Sequence, residues 1–247
     1  MKRLLCAGYP DIYQICKVFR DGEVGRNHQP EFTLLEWYRH DDSLESIIDD
    51  SVQVIAHALD DTSLQENVER YDYCAAFARF ADCDPLTADV QELQRIAQAD
   101  ASLRAALGDD KNAWLDLLLS QRVMPAFNQD RVTILTHYPI DQAALARACP
   151  ADASVADRFE LFYQGRELAN GYVELRDSDT QRQRFEADLV IRRNNDSPVA
   201  ALDETLLAAM AAGLPACAGV ALGVDRLLMI AADADDIRQV TTFPFAE

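Results

Sequence analysis

Hydrophobic positions along the chain change period several times. From Tyr13 to Arg20 apolar and polar residues alternate around β-branched and aromatic side chains, and Phe32 to Arg39 repeats the pattern, which predicts two strands. The polar stretch from Asp21 to Pro30 between them is long for a strand connection, and connections of that kind usually carry function. From Ser43 to Leu59, the positions Leu44, Ile47, Ile48, Val52, Ile55 and Leu59 recur at helical spacing, with Ser43 placed to cap the N-terminus. Further helical signals cover about 68–80, 88–107 and 111–122, with a break at Pro85. Strand patterns return at Arg131 to His137, Asp157 to Tyr163 and Arg166 to Leu175. Helices are expected near 178–194 and 203–212, and a small-residue strand from Ala216 to Leu222 then runs into a helix from Gly223 to Ala232. Strands separated by unequal helical blocks predict an α+β fold rather than a doubly wound parallel sheet. The whole chain, 1–247, reads as one domain with a helical insertion over about 68–125, without internal repeats.

Composition adds limits. The 247 residues are 49% hydrophobic and 26% charged, with nine Gly and nine Pro, which is globular rather than disordered. No apolar run approaches the roughly 20 residues of a membrane span, and the opening from Met1 to Gly8 is too short for a signal peptide, so a cytoplasmic location is expected. Six cysteines lie scattered without a C-x-x-C pair and are expected to be reduced; four isolated histidines predict no transition-metal site. Against 23 basic side chains stand 42 acidic ones, a net charge of −19, and such a surface repels nucleic acid. It favours a cationic substrate or a basic partner protein, although acidity that only aids solubility explains the composition equally well.

The segment from Arg158 to Leu175 allows a geometric expectation. If Gln164-Gly165 is a two-residue turn, Tyr163 opposes Arg166 and Phe162 opposes Glu167. Glu160 then shares a face with Glu167, diagonally across the ladder, and the two carboxylates are placed to hold Mg2+. Strict alternation puts Asn170 and Glu174 on the opposite face from Glu167, so a common pocket requires a bulge, expected at Gly171. An exposed acidic hairpin is the alternative.

Two longer signals frame this hairpin. The run Phe19-Arg20-Asp21-Gly22-Glu23, continuing to Pro30-Glu31-Phe32-Thr33-Leu34-Leu35-Glu36-Trp37-Tyr38, resembles motif 2 of the class II aminoacyl-tRNA synthetases, the strand-loop-strand that holds ATP. Gly219-Val220-Ala221-Leu222-Gly223-Val224-Asp225-Arg226 resembles their motif 3. The resemblance implies an antiparallel β-sheet flanked by helices, with ATP and Mg2+ as cofactors. Attack of a carboxylate on an α-phosphate builds negative charge that a planar guanidinium can stabilise. By resemblance Arg20 holds the α-phosphate and the substrate carboxylate, and Arg226 the γ-phosphate. Arg26 and His28 fall where the family's loop approaches phosphates and adenine; Phe32 and Glu160 complete the ATP set, and Glu160 and Glu167 the metal set. Many class II enzymes place Glu two residues after the motif arginine. Here Gly22 stands there and Glu23 follows, so adenine recognition would rely more on backbone groups.

The similarity extends to the lysyl-tRNA synthetases over nearly the whole chain, and is closer to the elongation factor P β-lysine ligase family. It implies activation of β-lysine or lysine and transfer to a lysine side chain of elongation factor P. Glu36 and Tyr38, two apart and so on one face, would cradle the substrate's side-chain ammonium with Glu174, while Asn170 lines the same pocket and Trp37 turns to the core. Buried carboxylates are costly unless a cation neutralises them, which suits an ammonium. Ala221 stands where lysyl-tRNA synthetases usually carry Gly, and a methyl there shifts isomer selection by roughly 1–3 kcal/mol, unless the change is neutral. A truncated synthetase charging tRNA and a non-catalytic binding module remain the rival readings, and the acidic chain makes tRNA the weaker acceptor. The family's motif 1, which forms its dimer interface, and a following Thr-Ser-Pro-Glu-like segment have no counterpart here. The opening at Met1-Lys2-Arg3-Leu4-Leu5 resembles the helix just after them. A homodimer is therefore expected only with the upstream region present, and weak adenylation without it.

Overall fold

Residues 1–40, 43–194 and 198–245 are described by the structure, a computed structural model. The chain begins with α1 (Lys2–Cys6) and the hairpin β1 (Ile12–Phe19) and β2 (Glu31–Arg39), followed by α2 (Leu44–Ala58). Next come β3 (Val68–Asp72) and four short helices, α3 (Tyr73–Phe80), α4 (Val90–Ile96), α5 (Ala101–Leu107) and α6 (Lys111–Leu118). The sheet resumes with β4 (Val132–Pro139), β5 (Val155–Tyr163) and β6 (Arg166–Val173), followed by α7 (Ser178–Asn194), α8 (Glu204–Gly213), β7 (Ala218–Gly223) and α9 (Val224–Ala231).

Among the described residues the seven strands form one sheet in the order β1-β2-β7-β6-β5-β4-β3, antiparallel except for the parallel β3–β4 pair at one edge. An α+β arrangement follows, as the unequal helical blocks require. Ser43 Oγ accepts from Ser46 N at 3.2 Å and starts α2, whose buried face of Ile47, Ile48, Val52 and Ile55 packs under one side of the sheet. There it meets Trp37, Leu161, Val220 and Leu222, so Trp37 belongs to the core as its alternation predicts. The other side is shared. Over β4 and β5, Leu135, Tyr138 and Phe162 join Tyr73, Phe77, Trp114 and Leu118 in a second core built by α3 and α6. The remaining middle of that face carries the candidate site.

Several element boundaries differ from the periodicity. Val68–Asp72 is a strand rather than the start of a helix, because its backbone pairs with β4; Asp72 then caps α3 by accepting from Cys74 N at 3.0 Å. The continuous helix expected over 88–107 is two helices, broken where Gln98 takes a left-handed φ of 55° and Asp100 caps α5. Beyond Leu118 the helical spacing persists as a π-turn through Val123. Arg20 and Leu175 lie just outside their strands, and β4 extends past a bulge at His137 to Pro139.

Candidate active site

Register places the chemistry in rows. Glu36 on β2 pairs with Ala221 on β7, Ala221 with Asn170 on β6, and Asn170 with Glu160 on β5, while Gln14 on β1 faces Glu36. One residue-pair further along, Tyr38, Gly219, Tyr172 and Arg158 form the next row with the same facing. Directly paired strand residues point to the same side, so one surface collects Glu36, Tyr38, Ala221, Asn170 and Glu160.

The β5–β6 hairpin turns at Gln164-Gly165 with φ of 48° and 70°, both left-handed, as a two-residue turn of this hand requires. Tyr163 opposes Arg166 and Phe162 opposes Glu167, as expected. The bulge lies elsewhere than Gly171: the register shifts between Leu161 and Phe162, so Leu168 is the extra residue, and Asn170 then rotates onto the face of Glu167 and Glu160. Gly171 serves close packing instead, since a Cβ there would lie 2.5 Å from the Phe159 ring.

At one end of this surface the groups are cationic. A cavity is walled by Arg20, Glu23, His28, Phe32, Glu167, Asn170, Ala221 and Arg226 among others. Arg226, at the start of α9, is the most constrained: Nη1 donates to Glu167 O at 2.8 Å, Nε to Asn27 O at 3.3 Å, and Nη2 lies 2.6 Å from His28 Nε2. Glu167 Oε2 adds an ion pair at 3.3 Å. Burial, then the charge of Arg226, lowers the His28 pKa below its ordinary value, so its ring faces the guanidinium as a neutral acceptor. Arg20 is looser, with more than half its side chain exposed, an ion pair to Glu23 at 3.1 Å and the Phe32 ring 5.4 Å beneath its guanidinium. Arg26 is not part of this wall. It turns outward to Asp235, donating to the carbonyl and the carboxylate, both at 2.6 Å.

At the other end the groups are acidic, Glu36 half-buried and Glu174 buried. Tyr38 OH donates to Glu36 Oε1 at 2.6 Å, and Gln14 Nε2 donates to Glu36 Oε2 at 3.2 Å. Glu174 is 2% exposed, and burial, only partly offset by Lys2, pushes its carboxyl up to about 7. Gly219 makes this assembly possible: a Cβ there would come within 2.5 Å of the Tyr38 ring and 3.0 Å of Glu174 Oε1. Glu160 is also buried. Arg158 Nη2 donates to its Oε1 at 2.6 Å and Asn170 Nδ2 to the same oxygen at 3.2 Å, while burial and then the charge of Glu167 raise its pKa. A buried carboxyl whose proton affinity is raised by burial and by a second carboxylate nearby is a donor set that a divalent cation would relieve, so Glu160 and Glu167 fit Mg2+.

The histidines are less isolated than their spacing suggests. His137, Cys149 and Asp157 place ligand-type atoms within 4.8 Å of one another. Their charges are already matched, with Asp157 held by Arg147 Nε at 2.7 Å and His137 by Asp72 at 3.1 Å. All six cysteines are free thiols, as expected.

Four residues around the site escape sequence reasoning. Gln14 is recoverable in hindsight from the alternation of β1, which puts Gln14, Cys16 and Val18 on the face of Glu36. Asp225, whose Oδ2 accepts from Thr33 N at 2.5 Å and ties α9 to β2, sits inside the motif 3 segment but gives no pattern of its own. Arg158 stacks over the Tyr138 ring at 4.4 Å, a contact across strands that no local spacing encodes. Lys2 lies far from everything else in sequence.

With this geometry in view, comparison with known proteins gives a consistent answer. The family model "tRNA synthetases class II (D, K and N)" matches residues 1–247. The chain is 43% identical over 244 residues to a protein of Klebsiella pneumoniae (strain 342) named elongation factor P--(R)-beta-lysine ligase, covering 98% of this chain and 74% of that relative. Proteins of the same name from Pectobacterium carotovorum subsp. carotovorum (strain PC1) and Salmonella gallinarum (strain 287/91 / NCTC 13346) are each 42% identical, over 247 and 244 residues, with the same two coverages. Among the described residues no helix is long and apolar enough to cross a membrane. A sheet that joins a loop-borne arginine, a helix-borne arginine and a row of inward carboxylates, matched end to end by the family model, makes this chain a member of the class II tRNA synthetase family.

Proposed function

We propose that the chain is an ATP-dependent ligase that activates β-lysine, or a similar lysine-type amino acid, as its adenylate and passes the acyl group to a lysine side chain of elongation factor P in the cytoplasm. One observation carries the reading beyond the family: the site is polar along its length, with Arg20 and Arg226 at one end and the half-buried Glu36 and buried Glu174 at the other. An amino acid with a distant ammonium fits that polarity, its carboxylate toward the arginines and its side-chain cation among the acids.

In the first step a substrate carboxylate oxygen bonds to the α-phosphorus of ATP, the bond from that phosphorus to its bridging oxygen breaks, and pyrophosphate leaves. Arg20 faces the phosphorus and stabilises the charge that builds there, while Arg226, held by Glu167, Asn27 and His28, anchors the outer phosphate. Phe32 offers the nucleotide an aromatic wall beside Arg20. Glu160 and Glu167 would hold Mg2+, which supplies charge neutralisation to the phosphates when bound. Asn170 Oδ1 is buried without a partner and is available to the substrate amino group. In the second step the neutral amine of the acceptor lysine attacks the acyl carbon, loses a proton, and AMP leaves.

The experiment is amino-acid-dependent ATP–pyrophosphate exchange with β-lysine, α-lysine and norleucine, followed by transfer to elongation factor P or to tRNA. Exchange with the lysines but not norleucine, and transfer to the protein, is the expected result. Charging of tRNA instead would replace the acceptor, and no exchange with any of them would remove the activity.

A further inference from the structure

Resting on that reading, we infer that Lys2 is a built-in occupant of the substrate's ammonium pocket, an internal cation that the incoming amino acid must displace. Lys2 and Leu5 are three apart on α1 and so share a helix face. Leu5 is sealed among Tyr38, Met210, Leu214 and Cys217, and this anchorage turns Lys2 inward. The result is a lysine only 9% exposed, with Nζ 2.5 Å from Glu174 Oε2 and 5.3 Å from the centre of the Tyr172 ring. The ammonium therefore sits against a buried carboxylate and an aromatic face, with Tyr38 and Glu36 beside them, the surroundings that a substrate ammonium needs.

Two further observations favour a placeholder over a permanent strut. The open cavity stops at Ala221 and Asn170 and does not include Glu36, Tyr38 or Glu174, although register puts Glu36 directly beside Ala221. Lys2 also leaves the carboxylate incompletely matched: its ammonium meets Oε2, while the buried Oε1 of Glu174 has no hydrogen-bond partner. A buried carboxylate left alone would be strongly unfavourable, so an internal cation keeps the empty site folded. Each substrate molecule then competes with a tethered one, which weakens apparent affinity by the fraction of time the pocket is vacated.

The test uses Lys2→Met and, should that variant fail to fold, Lys2→Gln, which removes the charge but keeps a donor. In ATP–pyrophosphate exchange the amino-acid KM should fall about tenfold, corresponding to a pocket vacated about a tenth of the time, while the KM for ATP barely moves. Independently of catalysis, n-butylammonium should raise the melting temperature of the variant and leave the wild type unmoved. An amino-acid KM that rises or stays unchanged, or equal stabilisation of both proteins by the amine, would overturn the inference. A wild type without any lysine-dependent exchange would instead defeat the proposed function, and the amine experiment would still decide the role of Lys2.

Discussion

Asn170 stands opposite Glu160 across the β5–β6 ladder and donates to its Oε1 at 3.2 Å, while its own Oδ1 has no partner. One amide thus orients a carboxylate and keeps an acceptor in reserve. Asn170→Ala should lower adenylate formation on the order of 10²-fold, by comparison with losing one preorganised group at a reacting centre. Asn170→Asp should be worse, since it replaces the amide donor to Glu160 with a third negative charge. Exchange rates near wild type in both variants would place Asn170 outside the site.

Glu174 supplies a pH test. Its folded value, about 7, lies above the ordinary 4.5, so its contribution to stability is fully present below pH 4.5 and is lost as pH rises through about 7. The loss is on the order of 3 kcal/mol at most. Glu160, raised in the same direction, adds to the slope. Denaturant midpoints of the substrate-free protein should fall across that window, and Glu174→Gln should flatten the fall. A variant with the same slope as the wild type would show that Glu174 does not titrate there.

Gly219→Ala places a methyl where the Tyr38 ring and Glu174 now meet the backbone, 2.5 Å and 3.0 Å from its Cβ. Overpacking of this kind costs about 1–3 kcal/mol, and here it also separates the two groups that would receive the ammonium. Both the melting temperature and amino-acid affinity should drop; an unchanged affinity would mean that Tyr38 can move without consequence.

Ala221 lies between Glu36 and Asn170 in the central row and lines the cavity. Ala221→Gly should raise activity with α-lysine relative to β-lysine, by a factor corresponding to roughly 1–3 kcal/mol at most. Relative rates for the two isomers measure it directly, and an unaltered ratio would remove this methyl from the basis of selection.

The two arginines should separate by their structural ties. Arg20→Ala is expected to reduce exchange by about 10²-fold with little change in melting temperature, because among the described residues the side chain is held by the exposed Glu23 pair and the Phe32 ring. Arg226→Ala should lose as much activity and also destabilise, since the contacts to Glu167, Asn27 and His28 go with it. Normal exchange in either would overturn its assigned role.

Period-two alternation made the sheet legible, and the motif 2 and motif 3 segments gave away both arginines and the facing of Glu36 with Tyr38. Val68–Asp72 was misread as helix because a five-residue strand at a sheet edge is decided by its neighbour β4, not by its own pattern. The bulge was anticipated but misplaced. Its position at Leu168 depends on which of two registers packs better against β5, while the glycine at 171 answers to the Phe159 ring. Arg26 was drawn into the site by its place in the loop, yet Asp235, more than 200 residues away, takes its guanidinium outward. Lys2 was invisible for the same reason: a single lysine near the start of a sequence carries no signal that it meets Glu174 in space.

The parallel pairing of β3 with β4 has a bearing on how the protein breathes. The two strands are joined by residues 73–131, a long helical excursion, and β3 has a partner strand on one side only. Ladders of that kind close late, and at a sheet edge they also open first. In the order β1-β2-β7-β6-β5-β4-β3, two strands, β4 and β5, lie between the edge strand β3 and the Ala221–Asn170 pair. Amide exchange should therefore be fast at Val68–Asp72 and slow in β6 and β7, with partial opening at the edge leaving the Glu36–Ala221–Asn170–Glu160 row in register.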